Sequence, residues 1–159
     1  MEDAALIVAF AHTTPSLLAG RKTRTRRKWK DVHAARVQKV IDRQGMLDAW
    51  DFSPRVKPMR LRQGLSAPRK VGVIRPLRLV REAIGQMPDG DYEPEGFAYL
   101  WEQGLTIWGQ DPQDAFDGWR AWGGVYWVLD FAFRTEAVSP LSGQEPRATA
   151  SVLPPAFSR

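Results

Sequence analysis

The chain has 159 residues, which is enough for one domain with a core of ordinary size. Its 43% hydrophobic and 26% charged residues are typical of a soluble globular protein, and no apolar run is long enough to span a bilayer, so we expect a cytoplasmic protein without a membrane partner. The absence of cysteine excludes disulfides, thiolate nucleophiles and zinc–thiolate sites, and with only two separated histidines, His12 and His33, we expect neither a bound metal nor a cofactor.

The net charge of +5 hides a strong division along the chain. Residues 21–81 carry 19 of the 23 Lys and Arg against four acids, whereas residues 82–117 carry nine acids and no base. This asymmetry predicts a positive surface for phosphate-bearing ligands, part of which the acidic segment lines or neutralises. The alternative is that both segments are simply solvated faces of a small domain.

The first third of the chain alternates strand and helix patterns. Residues 6–10 have the β-branched and aromatic content of a buried strand, and a short helix follows that ends before Gly20. Apolar residues at helical spacing predict a second helix over 31–44, and alternation predicts a strand over 46–52.

The rest of the chain is less regular until its last strand. Residues 57–68 have the Pro, Gly and Arg content of an exposed loop. One long or broken strand is predicted over 71–80, with an edge, bend or bulge at Pro76, because proline cannot donate to a central ladder. We also predict helices over 94–102 and from 111 onward, and a strand over 125–133, the clearest strand pattern of the chain.

Together these elements indicate an α+β domain built on a small sheet or barrel, with no internal repeats. We place this domain at residues 1–136. Residues 137–159 are rich in proline and lack periodicity, so we predict a disordered tail there.

A dense basic run, residues 20–30, carries the most specific pattern. Its Gly-x-Lys-x-x-Thr-x-Arg arrangement, at Gly20, Lys22, Thr25 and Arg27, resembles the N-terminal signature of the ASCH domain family. Blocks that recur in the family's order follow at 49–55, at 70–75 and at 95–97, then at Trp119 and the closing strand. The resemblance covers about residues 5–135, and it implies a PUA-like small β-barrel with flanking helices.

The resemblance implies two functions. ASCH domains resemble RNA-interacting modules, and one branch of small bacterial members removes the acetyl group from N4-acetylcytidine. Carried over by position, the catalytic residues of that branch correspond to Lys22, Thr25 and Glu95, with Arg27 closing the motif. We therefore expect a protein that binds RNA or a nucleotide-like ligand in a basic cleft around residues 20–27, or alternatively an amidohydrolase acting on an acylated nucleoside. A ribonuclease using the same cleft is a third hypothesis.

The chemistry of the amidohydrolase hypothesis sets a geometric condition. A threonine hydroxyl needs a neighbouring base to attack an amide, and Lys22 can serve if repulsion from Arg24, Arg26, Arg27 and Lys28 lowers its pKa. Side chains three apart in a strand point to opposite faces. Lys22 must therefore lie in a turn before the strand that carries Thr25.

The remaining candidates are ligand-binding residues. An exposed tryptophan in the basic half can stack on a base, and an arginine after a strand end can reach the mouth of a cleft. The other tryptophans, at 101, 108, 119, 122 and 127, are expected to pack in the core. The predicted ligand-binding residues are Gly20, Arg21, Arg24, Arg26, Arg27, Trp29 and Arg55. The sequence leaves the oligomeric state open.

Overall fold

The computed structural model describes residues 6–135, and the predicted disordered tail lies outside them. Five strands form one sheet that curls into a half-barrel, in the order β1-β3-β4-β5-β2. Strands β1 and β3 are parallel and the other neighbours are antiparallel. The α+β class is therefore confirmed. The strands are β1 (Ile7–Ala9), β2 (Arg24–Arg27), β3 (Leu47–Trp50), β4 (Lys70–Ala83) and β5 (Val125–Thr135).

Five α-helices connect and flank the strands. Within residues 6–135, no helix has the length and apolar character needed to cross a membrane. The helices are α1 (Thr14–Leu18), α2 (Asp31–Asp42), α3 (Lys57–Arg62), α4 (Phe97–Glu102) and α5 (Pro112–Trp122).

Local signals explain where several of these elements begin and bend. The Asp111 side chain accepts a hydrogen bond from the Gln113 backbone N–H at 3.0 Å, which caps α5, and Pro112 occupies the first turn. In β4 the register against β5 shifts between Pro76 and Arg78, so the predicted bulge is confirmed.

Two element predictions were wrong. Residues 57–62 form α3 rather than a loop, because Pro58 lies in the first turn, where its missing N–H costs no hydrogen bond. Helix α4 starts at Phe97 rather than Pro94, because Gly96 adopts a left-handed conformation with φ 99°. Glu95 consequently lies in a turn, not in a helix.

Buried side chains form two clusters on opposite faces of the sheet. Because side chains alternate along a strand, β5 sends Leu129 to the first cluster and Tyr126 to the second. The first cluster packs the sheet against α1 and α2 and comprises Val8, Phe10, Leu17, Val37, Val40, Leu47, Ala49, Ile74, Leu129 and Phe131. The second packs α4 and α5 and comprises Ile84, Met87, Phe97, Leu100, Ile107, Ala115, Phe116, Trp119 and Tyr126.

Candidate active site

Residues of both clusters line a pocket of about 250 Å³. Phe10 of the first cluster and Phe97 and Trp119 of the second contribute to its walls. The polar and charged side chains in its lining come from three separate parts of the sequence: His12 and Thr13, then Lys22, Thr25, Arg26 and Arg27, and finally Glu95.

The turn before β2 positions Lys22 for this pocket. Gly20 ends α1 with φ 77°, a conformation that glycine adopts without strain, and the Lys22 backbone N–H donates to the carbonyl of Ser16 at 3.2 Å. Lys22 thus precedes the strand that begins at Arg24, as the catalytic hypothesis requires, and Lys22 and Thr25 both line the pocket.

Lys22 and Glu95 form a buried pair in the lining of the pocket. The Lys22 Nζ donates to the Glu95 backbone carbonyl at 2.5 Å and lies 3.5 Å from its carboxylate, and both side chains are 2% exposed. Burial lowers the pKa of Lys22 to about 8; the Glu95 carboxylate opposes this shift, and the charge of Arg27 contributes a smaller lowering. The expected direction of the shift is confirmed, but its main cause is burial rather than repulsion by the basic run.

Glu95 is shared between two cations. Its Oε2 accepts a hydrogen bond from Arg26 Nη1 at 2.5 Å, while its other oxygen faces Lys22. Burial raises the pKa of Glu95, and the charges of Lys22 and Arg26 oppose that shift. The carboxylate is therefore held in place from both sides, and it orients the lysine that faces the pocket.

Thr25 and Arg27 project together from β2. Arg27 Nε donates to Thr25 Oγ1 at 3.1 Å and Arg27 Nη2 donates to the Ala9 carbonyl of β1 at 2.7 Å. Burial of the guanidinium lowers the pKa of Arg27 to about 10, with Glu95 opposing, so the group remains charged at neutral pH. A fixed cationic donor thus lies against the Thr25 hydroxyl.

The other arginines of the basic run are engaged with acids. Arg21 forms a surface pair with Glu93 at 2.7 Å and Glu102 at 2.8 Å, and these hydrogen bonds raise its pKa. Arg24 pairs with Asp130 at 2.5 Å and Asp91 at 2.9 Å. Gly20, Arg21 and Arg24 are not among the residues that line the pocket.

Among the arginines of residues 6–135, Arg26 contacts the most acids. Besides Glu95, it contacts Asp91 at 2.7 Å and Glu82 at 3.1 Å, and its own side chain is 1% exposed. All three partners come from the acidic segment 82–117, so that segment neutralises part of the basic run, which is one of the arrangements expected from the charge asymmetry.

Trp29 and Arg55 lie in a different place. Both line a second, larger groove of about 680 Å³ that shares Ala9 with the pocket. Trp29 is half-buried, packs against the first cluster and has its ring 4.9 Å from that of His33. The predicted ligand-binding residues are therefore divided between two neighbouring concave surfaces.

The sequence did not predict the aromatic walls of the pocket, nor His12 and Thr13 in its lining. Trp108 lines the pocket and is 43% exposed, with its ring 5.9 Å from Trp119 and 6.2 Å from Phe97, edge to face in both cases. Core packing was also wrong for Trp101 and Trp122, which are 60% and 70% exposed. Their helical spacing could not show that these positions face outward.

Backbone strain coincides with this pocket. Trp108 and Ala11, both in its lining, have φ values of 55° and 45°, a conformation that is costly for residues other than glycine. Trp108 is followed by Gly109 at φ 75° in a tight turn closed by Ile107 and Gln110, which hydrogen-bond to each other. Strained residues of this kind persist where the surrounding structure holds them, and they cluster at functional sites.

Gly96 allows the elements around Lys22 to approach closely. A Cβ atom there would lie 2.9 Å from the Ser16 Cβ and 3.4 Å from the Lys22 Cδ. Ser16 Oγ donates to the Gly96 carbonyl at 2.5 Å, which ties α1 to the turn that carries Glu95. The Glu-Gly-Phe block at 95–97 therefore combines a charged partner, a required glycine and an aromatic wall.

No family model, curated protein or solved structure matches the chain. Among residues 6–135, no group of three or more His, Cys, Asp or Glu is arranged to hold a metal ion. The ASCH resemblance and the PUA-like identity of the half-barrel consequently stay predictions.

Proposed function

We propose that the chain is an ASCH-like, PUA-like protein whose pocket hydrolyses the acyl amide of a modified nucleoside such as N4-acetylcytidine. One observation carries the proposal. A buried lysine of lowered pKa, Lys22, and a buried threonine, Thr25, line one pocket, with Glu95 paired to the lysine. A nucleophile, a base and a group that orients the base are the minimum set for covalent amide hydrolysis.

The size and walls of the pocket support a nucleoside ligand. Its volume of about 250 Å³ is slightly below the ~300 to 1,000 Å³ of typical small-molecule sites, so it suits a single base with its sugar better than a longer chain. Phe10, Phe97, Trp108 and Trp119 offer flat apolar surfaces to an aromatic base. Arg21, Arg24 and Arg26 are occupied by carboxylates, which favours a neutral ligand over a polyphosphate.

The first half of the reaction transfers the acyl group to Thr25. Neutral Lys22 takes the hydroxyl proton as Thr25 Oγ1 attacks the acyl carbonyl carbon. Arg27, which already donates to this oxygen, stabilises the negative charge that develops on the oxygens of the tetrahedral intermediate. The C–N bond then breaks, the exocyclic amine receives a proton from Lys22, and an acyl ester remains on Thr25.

The second half regenerates the enzyme. Lys22 takes a proton from water, the hydroxide oxygen attacks the ester carbonyl, and the Thr25 oxygen leaves with that proton. The products are the free nucleoside and a carboxylic acid. Throughout, Glu95 holds the Lys22 ammonium or amine at the pocket wall, and it stabilises the charged form of Lys22 between the two proton transfers.

Binding of a nucleotide-like ligand without hydrolysis is the competing proposal. The aromatic walls and Arg27 serve it equally well, and it needs no proton transfer by Lys22. The two proposals differ in a single measurable product, because only the enzyme releases free cytidine.

The test compares purified native protein with Thr25→Ala, Thr25→Ser and Lys22→Met, using N4-acetylcytidine and chromatographic detection of cytidine. Thr25→Ala and Lys22→Met are expected to lower kcat by at least about a hundredfold, since each removes a proton-transfer or nucleophilic group. Thr25→Ser keeps a hydroxyl and retains partial activity.

Thr23→Ala is the matched control. Thr23 lies in the same turn as Lys22 but is exposed and lies outside the pocket, so its loss leaves kcat unchanged. Equal rates for the native protein and Thr25→Ala would refute the covalent mechanism. Calorimetric binding of the nucleoside without any cytidine release would establish the binding-only proposal instead.

A further inference from the structure

The second groove differs from the surroundings of the pocket because its cations have no acidic partners among the described residues. Lys28, Lys30, Arg36 and Arg55 line it, and its lining contains no Asp or Glu. Within residues 6–135 none of these four cations forms an ion pair, whereas Arg21, Arg24 and Arg26 are each paired with at least two acids. We call this surface the cationic groove.

Three elements of the chain converge on the cationic groove. Lys28 and Lys30 belong to the connection between β2 and α2, Arg36 lies on α2, and Arg55 lies in the short helical turn that follows β3. All four side chains are exposed. A groove lined by four exposed cations offers several phosphate contacts, which suits a polyanion better than a single anion.

The groove also offers apolar surface beside these charges. The rings of Trp29 and His33 contact each other in its wall at an interplanar angle of 57°, and Val32 is 69% exposed. Burial, followed by the charges of Arg36 and Arg55, lowers the pKa of His33, which favours the neutral imidazole as an aromatic surface. Cations that alternate with flat rings are the arrangement by which proteins bind single-stranded nucleic acid.

We propose that the cationic groove binds the sugar–phosphate backbone of a single-stranded nucleic acid, with bases lying against Trp29 and His33. The groove is separate from the pocket, so this site does not depend on hydrolysis by Lys22 and Thr25. Since both cavities share Ala9, a strand bound in the groove passes beside the pocket.

The test measures the affinity of the full chain for a short fluorescent single-stranded RNA by anisotropy, as a function of salt. Four phosphate contacts predict a slope of log K against log salt of about −2.8, equivalent to an affinity loss of about 50-fold between about 50 and 200 mM salt. Arg36→Ala or Arg55→Ala removes one phosphate contact, so the slope of each variant becomes less steep, at about −2.1.

Lys39→Ala is the matched control. Lys39 is an exposed cation on the same helix as Arg36, but it does not line the groove, so its slope stays at the native value. An abasic oligonucleotide of the same length tests the aromatic wall, and we expect it to bind at least about fivefold more weakly.

Each other outcome overturns the proposal. Equal slopes for Arg36→Ala and Lys39→Ala would mean that the cations act only through net charge. Equal binding of the abasic and intact strands would mark a general polyanion surface without base contacts. No measurable binding at low salt would show that the cationic groove does not bind single-stranded nucleic acid.

Discussion

The pH dependence of nucleoside hydrolysis tests the role of Lys22 most directly. Lys22 must be neutral to accept the Thr25 proton, and its pKa is lowered by burial to about 8. The active fraction is then about a tenth at pH 7, half at pH 8 and nine tenths at pH 9. We expect kcat/KM to rise about fivefold from pH 7 to 8 and less than twofold from pH 8 to 9, and to be lost as the pH falls below 7.

Two variants shift the midpoint in opposite directions. The charge of Arg27 lowers the pKa of Lys22, so Arg27→Gln moves the midpoint to higher pH. The Glu95 carboxylate raises the pKa of Lys22, so Glu95→Gln moves the midpoint to lower pH. Both variants also reduce the maximal rate, but the midpoint is measured independently of that amplitude.

The assay follows cytidine release at saturating and low N4-acetylcytidine across this pH range. The Thr25→Ala variant at each pH supplies the spontaneous base-catalysed rate, which is subtracted. A midpoint near the ordinary lysine value of 10.5, or shifts of the same sign in both variants, would refute the assignment of Lys22 as the base.

Three further perturbations test the structure around the pocket. Gly96→Ala forces a positive φ and a 2.9 Å contact on a side chain. Chemical denaturation should therefore show a loss of about 1–3 kcal/mol beyond that of Gly104→Ala, where φ is also positive, at 70°, but a Cβ atom meets open space. Trp108→Leu removes a stacking surface and is expected to raise KM for the nucleoside about tenfold with little change in kcat; an unchanged KM would mean that the ligand does not contact this ring. Asp91→Leu removes a buried carboxylate that Arg24 and Arg26 share, and because both keep other acidic partners, thermal or urea unfolding should show a loss of about 1.5–3 kcal/mol.

Elements with strong local patterns were predictable from sequence. The sequence pattern matches the structure in three elements: strand β1, helix α2 and the long strand β5. The bulge at Pro76 was predictable because proline has no backbone N–H to donate. Helix α3 was not predicted. Its proline and arginine content is typical of a loop, and it has no buried apolar face that would indicate a helix. All six residues of α3 lack full burial, so no apolar stripe marks it.

The site was predictable only in its N-terminal half. The motif gave Lys22, Thr25 and Arg27 together because they lie within six residues of each other. Trp108 was missed, since its approach to the pocket depends on how α4 and α5 pack rather than on its neighbours in sequence. Glu95 was predicted only through the family resemblance, because its place in an acidic cluster otherwise indicates a residue that interacts with the dipole at a helix start.

The two faces of β2 explain why a dense basic run does not produce an equally strong field. Arg24 and Arg26 are two apart on the strand, and both contact Asp91 on one side of the sheet. Thr25 and Arg27 alternate with them and contact each other at the pocket. Half of the run is thus neutralised inside the fold, so the field available to a polyanion comes from cations that lack acidic partners, and the cationic groove has four of them among the described residues. Counting charge along the sequence overestimates the potential at the pocket, and it misses the neighbouring surface where the potential is left unneutralised.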